Sequence, residues 1–581
     1  MYTEYELRQV PLTMKSSLRR AEAFLSSNSL RLDDVDYMAA IYPLDSDEIL
    51  ACGGKKGNLL KCIAVSEQLR DTGMSTRLVS HLVTTAMQQG FRSVKVFTKP
   101  SNQDIFSSLG FHLLASSPKA ILMENSKKGI EDYTAYLRQQ RGDEKSGVIV
   151  MNCNPFTKGH RYLVEQASQR VDSLFIIPVR EDVSLFSYTE RKAMIQAGVA
   201  DIPNVQVLEG SEYSISQFTF PTYFLKDLND AADTHITLVL DLFASQIAPA
   251  LGVSVRFVGS EPTDALTKRY NELMQSTLPP KGIEVVQIER CSLTDNTIIS
   301  ASSLRKALQG GMLTEASAFA YPTSIPYMIG YLATRALQIE LDTTPKPGLV
   351  DQHDNGAHSD MDYRCMCRSI EALHPYFVQL ALDAFCDELP SLQQLQEAGL
   401  AAEKTMLAVT HGVNTHKGAL FSMGLAVCAA SHLFHKHGSV TPQQLQETIQ
   451  SLATLFPTPQ GTHGAAVVEQ HHVSGALACA VNGYPQLFES WLPYVQCNKE
   501  DSYLLHKLLL LIMSTLDDTN IYHRAGVDGA EQTKRESKEL LTHFSEEALQ
   551  QMNQQFVYRN WSPGGSADML SLTIFVASVV E

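Results

Sequence analysis

The sequence predicts two α/β regions followed by an all-α region. Three observations carry this expectation. Strand-length apolar runs alternate with helical patterns in the middle of the chain. A mixture of strands and one clear helix precedes them. Beyond about residue 337 strand signals fade and a helical period of about 3.6 residues dominates. A chain of 581 residues is long enough for several domains.

The first region, 1–125, contains the strand runs "KCIAVS" and "SVKVFTK" and a helical pattern from Ser75 to Gln89. It ends at the polar run "NSKKGIEDY", which reads as a connector. The second region, 147–334, carries "GVIVM", "LFIIPV", "VQVLE", "ITLVLD", "VRFVGS" and "EVVQIE". Short buried strands spaced by helices imply a parallel sheet. The third region, 337–581, has helical patterns in "SIEALHPYFVQLALDAF", "GALFSMGLAVCAASHLF" and "SEEALQQM". Thr441 before Pro442, with Gln444 three residues on, marks a capped helix start.

Composition narrows the function classes. Hydrophobic residues make up 44% and charged residues 19%, as in globular proteins. The formal net charge of -16 argues against sequence-independent nucleic-acid binding and a basic membrane-surface patch. The N-terminus shows no secretory signal, and no uninterrupted apolar run reaches membrane-span length. The ten cysteines form no CxxC pair, which fits reduced thiols in a cytoplasmic protein.

The chemistry begins at "NPFTKGH", Asn154 to His160, between "GVIVMNC" and the helix pattern "RYLVEQASQR". A loop at the carboxyl end of a parallel strand, followed by a helix, offers free amides to phosphate. A histidine on the first helical turn adds a donor. From spacing alone, a phosphate grip and an ordinary exposed turn are equally good readings. "ISASSLRKAL", Ile299 to Leu308, adds hydroxyls and a guanidinium at a second helix start.

Together these two motifs resemble the HxGH nucleotidyltransferase superfamily, with Thr157 at the first histidine position. "VMNCNPFTKGHRYLVEQAS", "GSEYSISQFTFPTYFLK" and "ALGVSVRFVGSEP" resemble the citrate lyase ligases. That resemblance implies activation of acetate by ATP to acetyl-AMP, then acetylation of the citrate lyase prosthetic-group thiol on its acyl carrier subunit. It implies that Thr157, Lys158 and His160 face the triphosphate within an ATP-binding turn that includes Asn154, Phe156 and Gly159. It further implies that Ser300, Ser302 and Arg305 hold the β- and γ-phosphates. Arg180 and Lys226 are secondary candidates, and Mg2+ is expected with ATP, with no permanently bound cofactor.

In the first region, "RDTGMS" resembles the pyrophosphate loop of the GNAT acetyltransferase fold, with Ser75 at a position usually Gly or Ala. "FSSLGF" resembles that family's late element. The resemblance implies a coenzyme-binding loop at Arg70, Gly73 and Ser75, used to dock a coenzyme A-like arm. A purely structural domain is the alternative.

The third region holds four polar clusters at Thr343 to Tyr363, Gly412 to Gly424, Leu516 to Gly526 and Ser562 to Leu570. Asp351, Asp360, Asp362, Asp517 and Asp518 offer oxygen ligands for Mg2+, and Lys346, Lys417 and Arg524 offer charge for phosphates. Taken singly, each acid reads as a cap or a loop charge. "TPKPGLVD", "GAHSDMD", "NTHKGA", "DTN" and "SPGGSADML" resemble the triphosphoribosyl-dephospho-coenzyme A synthases. That resemblance implies transfer of triphosphoribosyl from ATP to dephospho-coenzyme A with release of adenine. Asp351 and Asp360 are the expected catalytic acids, Lys346, Lys417 and Arg524 the ATP contacts, and Asp360, Asp517 and Asp518 the metal ligands. One departure stands out: Leu477 and Cys479 occupy positions where the family carries Arg and Glu, a loss for which Glu469 or His471 is placed to compensate. A domain that binds coenzyme or carrier without catalysis is therefore the rival reading of this region.

Overall fold

The computed structural model describes residues 5–69, 72–142, 145–180, 184–213, 228–261, 264–291, 299–457 and 475–581, with side chains from 232 onward in the helix that starts at Leu228. Arg70, Lys226, Glu469, His471 and His472 lie outside them. The chain forms two compact units, 1–299 and 300–581.

The first unit contains two sheets. One has seven strands: β1 (Tyr5–Gln9), β2 (Tyr37–Pro43), β3 (Ala51–Lys56), β4 (Leu59–Val65), β5 (Lys95–Thr98), β6 (His112–Ser116) and β7 (Ile121–Glu124), in spatial order 1-2-3-4-5-7-6. It is mixed: β4 and β5 pair in parallel, and the other neighbours are antiparallel. The parallel pair needs a crossover, which helix α2 (Met74–Gln88) supplies; α1 is Lys15–Ser27. Gly73 precedes α2 with φ +77°, a left-handed conformation that glycine adopts without strain. Phe106 and Phe111 of "FSSLGF" meet edge to face at 5.6 Å.

The second sheet is entirely parallel. Its strands are β8 (Ser146–Met151), β9 (Ser173–Pro178), β10 (Val205–Val207), β11 (Val255–Gly259) and β12 (Glu284–Ile288), in order 10-9-8-11-12. The order reverses between β8 and β11, so their carboxyl ends open a crevice, the place where such sheets bind ligands. Helices α3 (Lys128–Gln139), α4 (Lys158–Ser168), α5 (Tyr188–Val199), α6 (Leu228–Leu242) and α7 (Ala265–Thr277) accompany it.

Two expectations change here. "ITLVLD" is not a strand; it lies within α6. Ile236, Leu238, Leu240 and Leu242 share a buried core with Met38 and Phe97 of the first sheet and Val148 and Phe175 of the second. A short apolar run buried on several sides shows no polar face, so its period cannot separate helix from strand. "NSKKGIEDY" is not a loose connector either, because α3 begins at Lys128 and buries Ile130, Tyr133 and Leu137. The two sheets are tied by polar contacts as well. Tyr213 donates to the buried Glu124 carboxylate at 2.9 Å, Lys95 pairs with Glu212 at 2.5 Å, and the Ser116 amide donates to Asp241 at 2.7 Å.

All described regular elements of the second unit are helical. They are α8 (Ala301–Gln309), α9 (Ile325–Asp342), α10 (Tyr363–Ala384), α11 (Leu392–Val409), α12 (Lys417–His437), α13 (Pro442–Ala453), α14 (Ala476–Val481), α15 (Leu504–Thr515), α16 (Thr519–Thr542), α17 (Glu546–Arg559) and α18 (Gly564–Val579), besides shorter turns. The expected Thr441–Gln444 capping box opens α13. Helices α12 and α18 pack on each other and on α9, and nearly every residue from Ala419 to Phe434 is buried. Ala232–Leu251 and Lys417–His437 are long and apolar enough to cross a membrane by length and composition, and most of each is buried in the fold.

Candidate functional sites

The "NPFTKGH" turn follows β8 at the sheet's reversal point. Thr157 caps α4: its hydroxyl accepts the His160 amide at 3.2 Å. In return, the His160 ring Nδ1 accepts the Thr157 amide at 3.0 Å. A neutral imidazole that accepts at Nδ1 carries its proton on Nε2, the donor a phosphate oxygen needs. Phe156 stacks on the His160 ring with centroids 5.9 Å apart, which fixes its plane. A Cβ on Gly159 would touch Ile299 at 3.4 Å. Lys158 and Arg180 are exposed, Arg180 just past the carboxyl end of β9 with its guanidinium 5.6 Å from the Tyr188 ring. This brings Asn154, Phe156, Thr157, Lys158, Gly159 and His160 into one turn.

Arg191, which sequence reasoning did not single out, holds that turn in place. Its fully buried guanidinium donates to the Asn152 carbonyl at 2.8 Å, the Asn152 side-chain oxygen at 2.6 Å, the Val179 carbonyl at 2.9 Å and the Phe186 carbonyl at 3.1 Å. It therefore ties the chain after β8, the chain after β9 and the start of α5. Asn154 adds a link by accepting the Phe186 amide at 3.2 Å. Arg191→Met strands these acceptors, so we expect a loss of about 2–4 kcal/mol of first-unit stability, each bond to a charged group contributing roughly 1.5–3 kcal/mol. Chemical denaturation would read the loss, together with reduced AMP formation and unchanged adenine release.

In the second unit Ser300 caps α8, accepting the Ser302 and Ser303 amides, and Arg305 donates to the Ser302 hydroxyl at 3.1 Å. Farther along, a cavity of about 890 Å³ opens among the helices. The amino-terminal turns of α12, α16 and α18 all reach its wall, through Lys417 and Gly418, Thr519 and Asn520, and Gly564 and Gly565. All four polar clusters read from the sequence contribute to that wall.

Three acids with displaced titration line the cavity. Glu340 is buried, its carboxyl pushed up by burial and drawn back by Lys346. Lys346 is 1% exposed and donates to the Glu340 carboxylate at 2.5 Å and to its carbonyl at 2.8 Å. Asp518 caps α16, accepts the amides of Asn520, Gly565 and Ser566 and the Ser566 hydroxyl, and is raised by burial. Asp568 accepts the Ala419 amide and its carboxyl is raised well above the ordinary aspartate value by burial, then by Glu340 and Asp518. Its carboxyl lies deep among protein atoms, yet the residue is only half-buried because it borders the cavity.

The other expected residues are placed as follows. Arg524 reaches the wall and donates to the carbonyls of Ala357 and Asn560. Lys417 is exposed and paired with Glu403 at 2.6 Å. Asp351 is buried off the cavity wall; it accepts the amides of Lys346, His353 and Asp354, so it shapes its own loop. Asp360 also lies off the wall, its side chain 60% exposed and 3.7 Å from His358. Asp362 caps α10. Asp517 pairs with Lys534 at 2.5 Å. Among the described residues no group of three or more His, Cys, Asp or Glu gathers to hold a metal. Leu477 and Cys479 both line the cavity.

Sequence reasoning missed Glu340, His416, Tyr484 and Asp568. Asp568 lay inside the quoted "SPGGSADML", and only its position four residues past the start of α18 marked it as inward-facing. His416 is held at Nδ1 by Ser369 at 2.8 Å, and burial, with Lys346, lowers its pKa to about 4. Because the folded pKa lies below the ordinary 6.5, its stabilising contribution is complete above that value and is lost as pH falls toward 4. A drop of that size corresponds to about 3 kcal/mol. His416→Gln is therefore expected to flatten the acid limb of the second unit's thermal stability between neutral pH and the acid range.

A parallel sheet with a capped histidine turn at its reversal point, followed by a helical unit that encloses an acid-lined cavity, defines a two-site enzyme. The family model "Citrate lyase ligase C-terminal domain" matches residues 146–328, and "ATP:dephospho-CoA triphosphoribosyl transferase" matches residues 326–581. A [Citrate [pro-3S]-lyase] ligase of Haemophilus influenzae is 39% identical over 324 residues, 54% of this chain and 96% of the relative. One from Klebsiella pneumoniae is 38% identical over 330 residues, 56% of this chain and 96% of the relative. A 2-(5''-triphosphoribosyl)-3'-dephosphocoenzyme-A synthase of Pectobacterium atrosepticum is 35% identical over 254 residues, 41% of this chain and 84% of the relative. The chain thus belongs to the citrate lyase ligase family in its first part and to the triphosphoribosyl-dephospho-coenzyme A synthase family in its second.

Proposed function

We propose that this is a bifunctional citrate lyase maturation enzyme whose first unit activates acetate with ATP and whose second unit makes the prosthetic-group precursor. The observation that carries the reading is the match of residues 146–328 and 326–581 to two families, each part with its own candidate site.

In the first reaction an acetate oxygen attacks the α-phosphorus, pyrophosphate leaves, and the thiol of the acyl carrier subunit then displaces AMP from the acetyl group. No protein nucleophile is needed, so positioning and charge neutralisation dominate. The α4 amino terminus, Lys158 and the His160 Nε2 proton serve that need. Ser300, Ser302 and Arg305, expected from their motif to grip polyphosphate, fall in the second unit. The seven-stranded domain, GNAT-like in its loop at Gly73 and Ser75, docks the coenzyme A-like arm. In the second reaction the dephospho-coenzyme A 2′-hydroxyl attacks C1′ of the ATP ribose and adenine departs. Mg2+ is expected to enter with ATP as part of the substrate. The ten cysteines form no disulfide among the described residues, which favours a cytoplasmic setting for both reactions.

Leu477 and Cys479 on the cavity wall favour one rival: a second unit that binds coenzyme or carrier without catalysis. The test follows AMP, pyrophosphate and adenine from ATP while acetate, dephospho-coenzyme A and the lyase carrier are supplied in turn. Adenine released with dephospho-coenzyme A alone supports two activities; none from the folded protein selects the rival.

A further inference from the structure

We propose that Asp568 is the proton donor to the departing adenine in the second unit's cavity. The assignment rests on the ribosyl-transfer reading above and names the group that reading left open.

Four acids share the cavity, and three are committed to protein partners. Glu340 holds Lys346, Asp517 pairs with Lys534, and Asp518 receives three amides and a hydroxyl. Asp568 receives the Ala419 amide and keeps an exposed margin toward the cavity. Its seat is built for it. A Cβ on Gly418 would stand 2.0 Å from Asp568 Oδ2, so only glycine at the start of α12 admits the carboxyl there.

Two further polar atoms mark a ligand position. His416 Nε2 and Tyr484 Oη are buried in residues 3% and 4% exposed, have no hydrogen-bond partner among the described residues, and belong to the same cavity wall. Buried polar groups are normally satisfied, so a wall offering two such atoms beside an acid calls for a polar, ring-sized guest. Leu337, Leu349 and Phe421 supply apolar surface on the same wall, which suits a purine. The titratable and charged groups that share the cavity wall with Asp568 are Glu340, Lys346, His358, His416, Lys417, Cys479, Tyr484, Asp517, Asp518 and Arg524. Burial, then Glu340 and Asp518, raise the Asp568 carboxyl and favour its protonated form, the form in which it serves the reaction as an acid.

The step balances. The C1′–N9 bond of ATP breaks and its electron pair stays with adenine. A ring nitrogen of the base takes the Asp568 proton. The 2′-hydroxyl oxygen forms the new bond to C1′ and its proton passes to water. The Asp568 carboxylate recovers a proton from solvent.

The test compares ATP with its N7-methyl analogue, whose base is already cationic and leaves without a proton. In Asp568→Asn the kcat for adenine release from ATP should fall at least about 100-fold, the scale of general acid catalysis, with KM for ATP little changed. Turnover of the methylated analogue should stay near the wild-type rate. Equal losses on both substrates overturn the assignment. The wild-type protein gives an independent readout. Its rate with ATP should decline at alkaline pH while the rate with the analogue does not; matching profiles also overturn the assignment. If the wild-type protein releases no adenine from ATP at all, the ribosyl-transfer reading fails, an outcome distinct from either of these.

Discussion

His160→Ala is expected to lower ATP- and acetate-dependent AMP formation by about 100-fold or more, while adenine release by the second unit is unchanged. Removing one preorganised donor from a phosphoryl-transfer site costs on the order of 10²–10³ in rate. The ring does two jobs at once. Its Nδ1 closes the capping box with the Thr157 amide, which leaves the ring proton on Nε2. Alanine removes both, so the Thr157 amide loses its partner and the turn loosens. Losing a helix cap costs about 1 kcal/mol. A melting temperature shifted by a few degrees with a collapsed AMP rate separates chemistry from folding. A variant whose adenine release falls in parallel would contradict independent sites.

Lys346→Met is expected to destabilise the second unit by about 3–5 kcal/mol, the usual cost of stranding one partner of a buried ion pair. Glu340 then sits buried without its cation. The pH dependence has a definite sign. Burial already holds the Glu340 carboxyl above its ordinary value, and losing Lys346 removes the interaction that draws it down. A carboxyl raised in the folded state is stabilising below its unfolded pKa and loses that contribution as pH rises through the folded pKa. The deficit of the variant should therefore be greatest at alkaline pH and shrink on acidification. Urea denaturation across this range measures it. Lys346 was expected to hold phosphate; a variant with full stability and weakened ATP binding would support that role.

Local signals in the sequence reached the fold well where an element carries its own mark. The strand at Ser146–Met151, the capped turn after it and the Thr441 box are written in neighbouring residues. They failed at α6, whose apolar residues face two sheets and so lack a polar side. The four segments named from the sequence all reach the cavity wall, as do Asp517 and Asp518, whereas Asp351 and Asp360 lie off it. Asp351 and Asp360 look as reactive on paper as Asp568. What separates them is which backbone amides each one meets, and that depends on helices far apart in the chain. Arg191 was invisible for the same reason, since its partners lie after two different strands.

The acid-lined cavity also has a history during synthesis. Its wall draws on α9, which starts at Ile325, and on α18, which starts at Gly564, and the two helices pack together. Nascent chains fold amino-terminal units first, and long-range contacts form last. A ribosome partway along this message would carry a finished parallel sheet and histidine turn, but no trace of the second pocket. Acetate activation should then appear in growing chains before ribosyl transfer, which arrives all at once when α18 closes on α9.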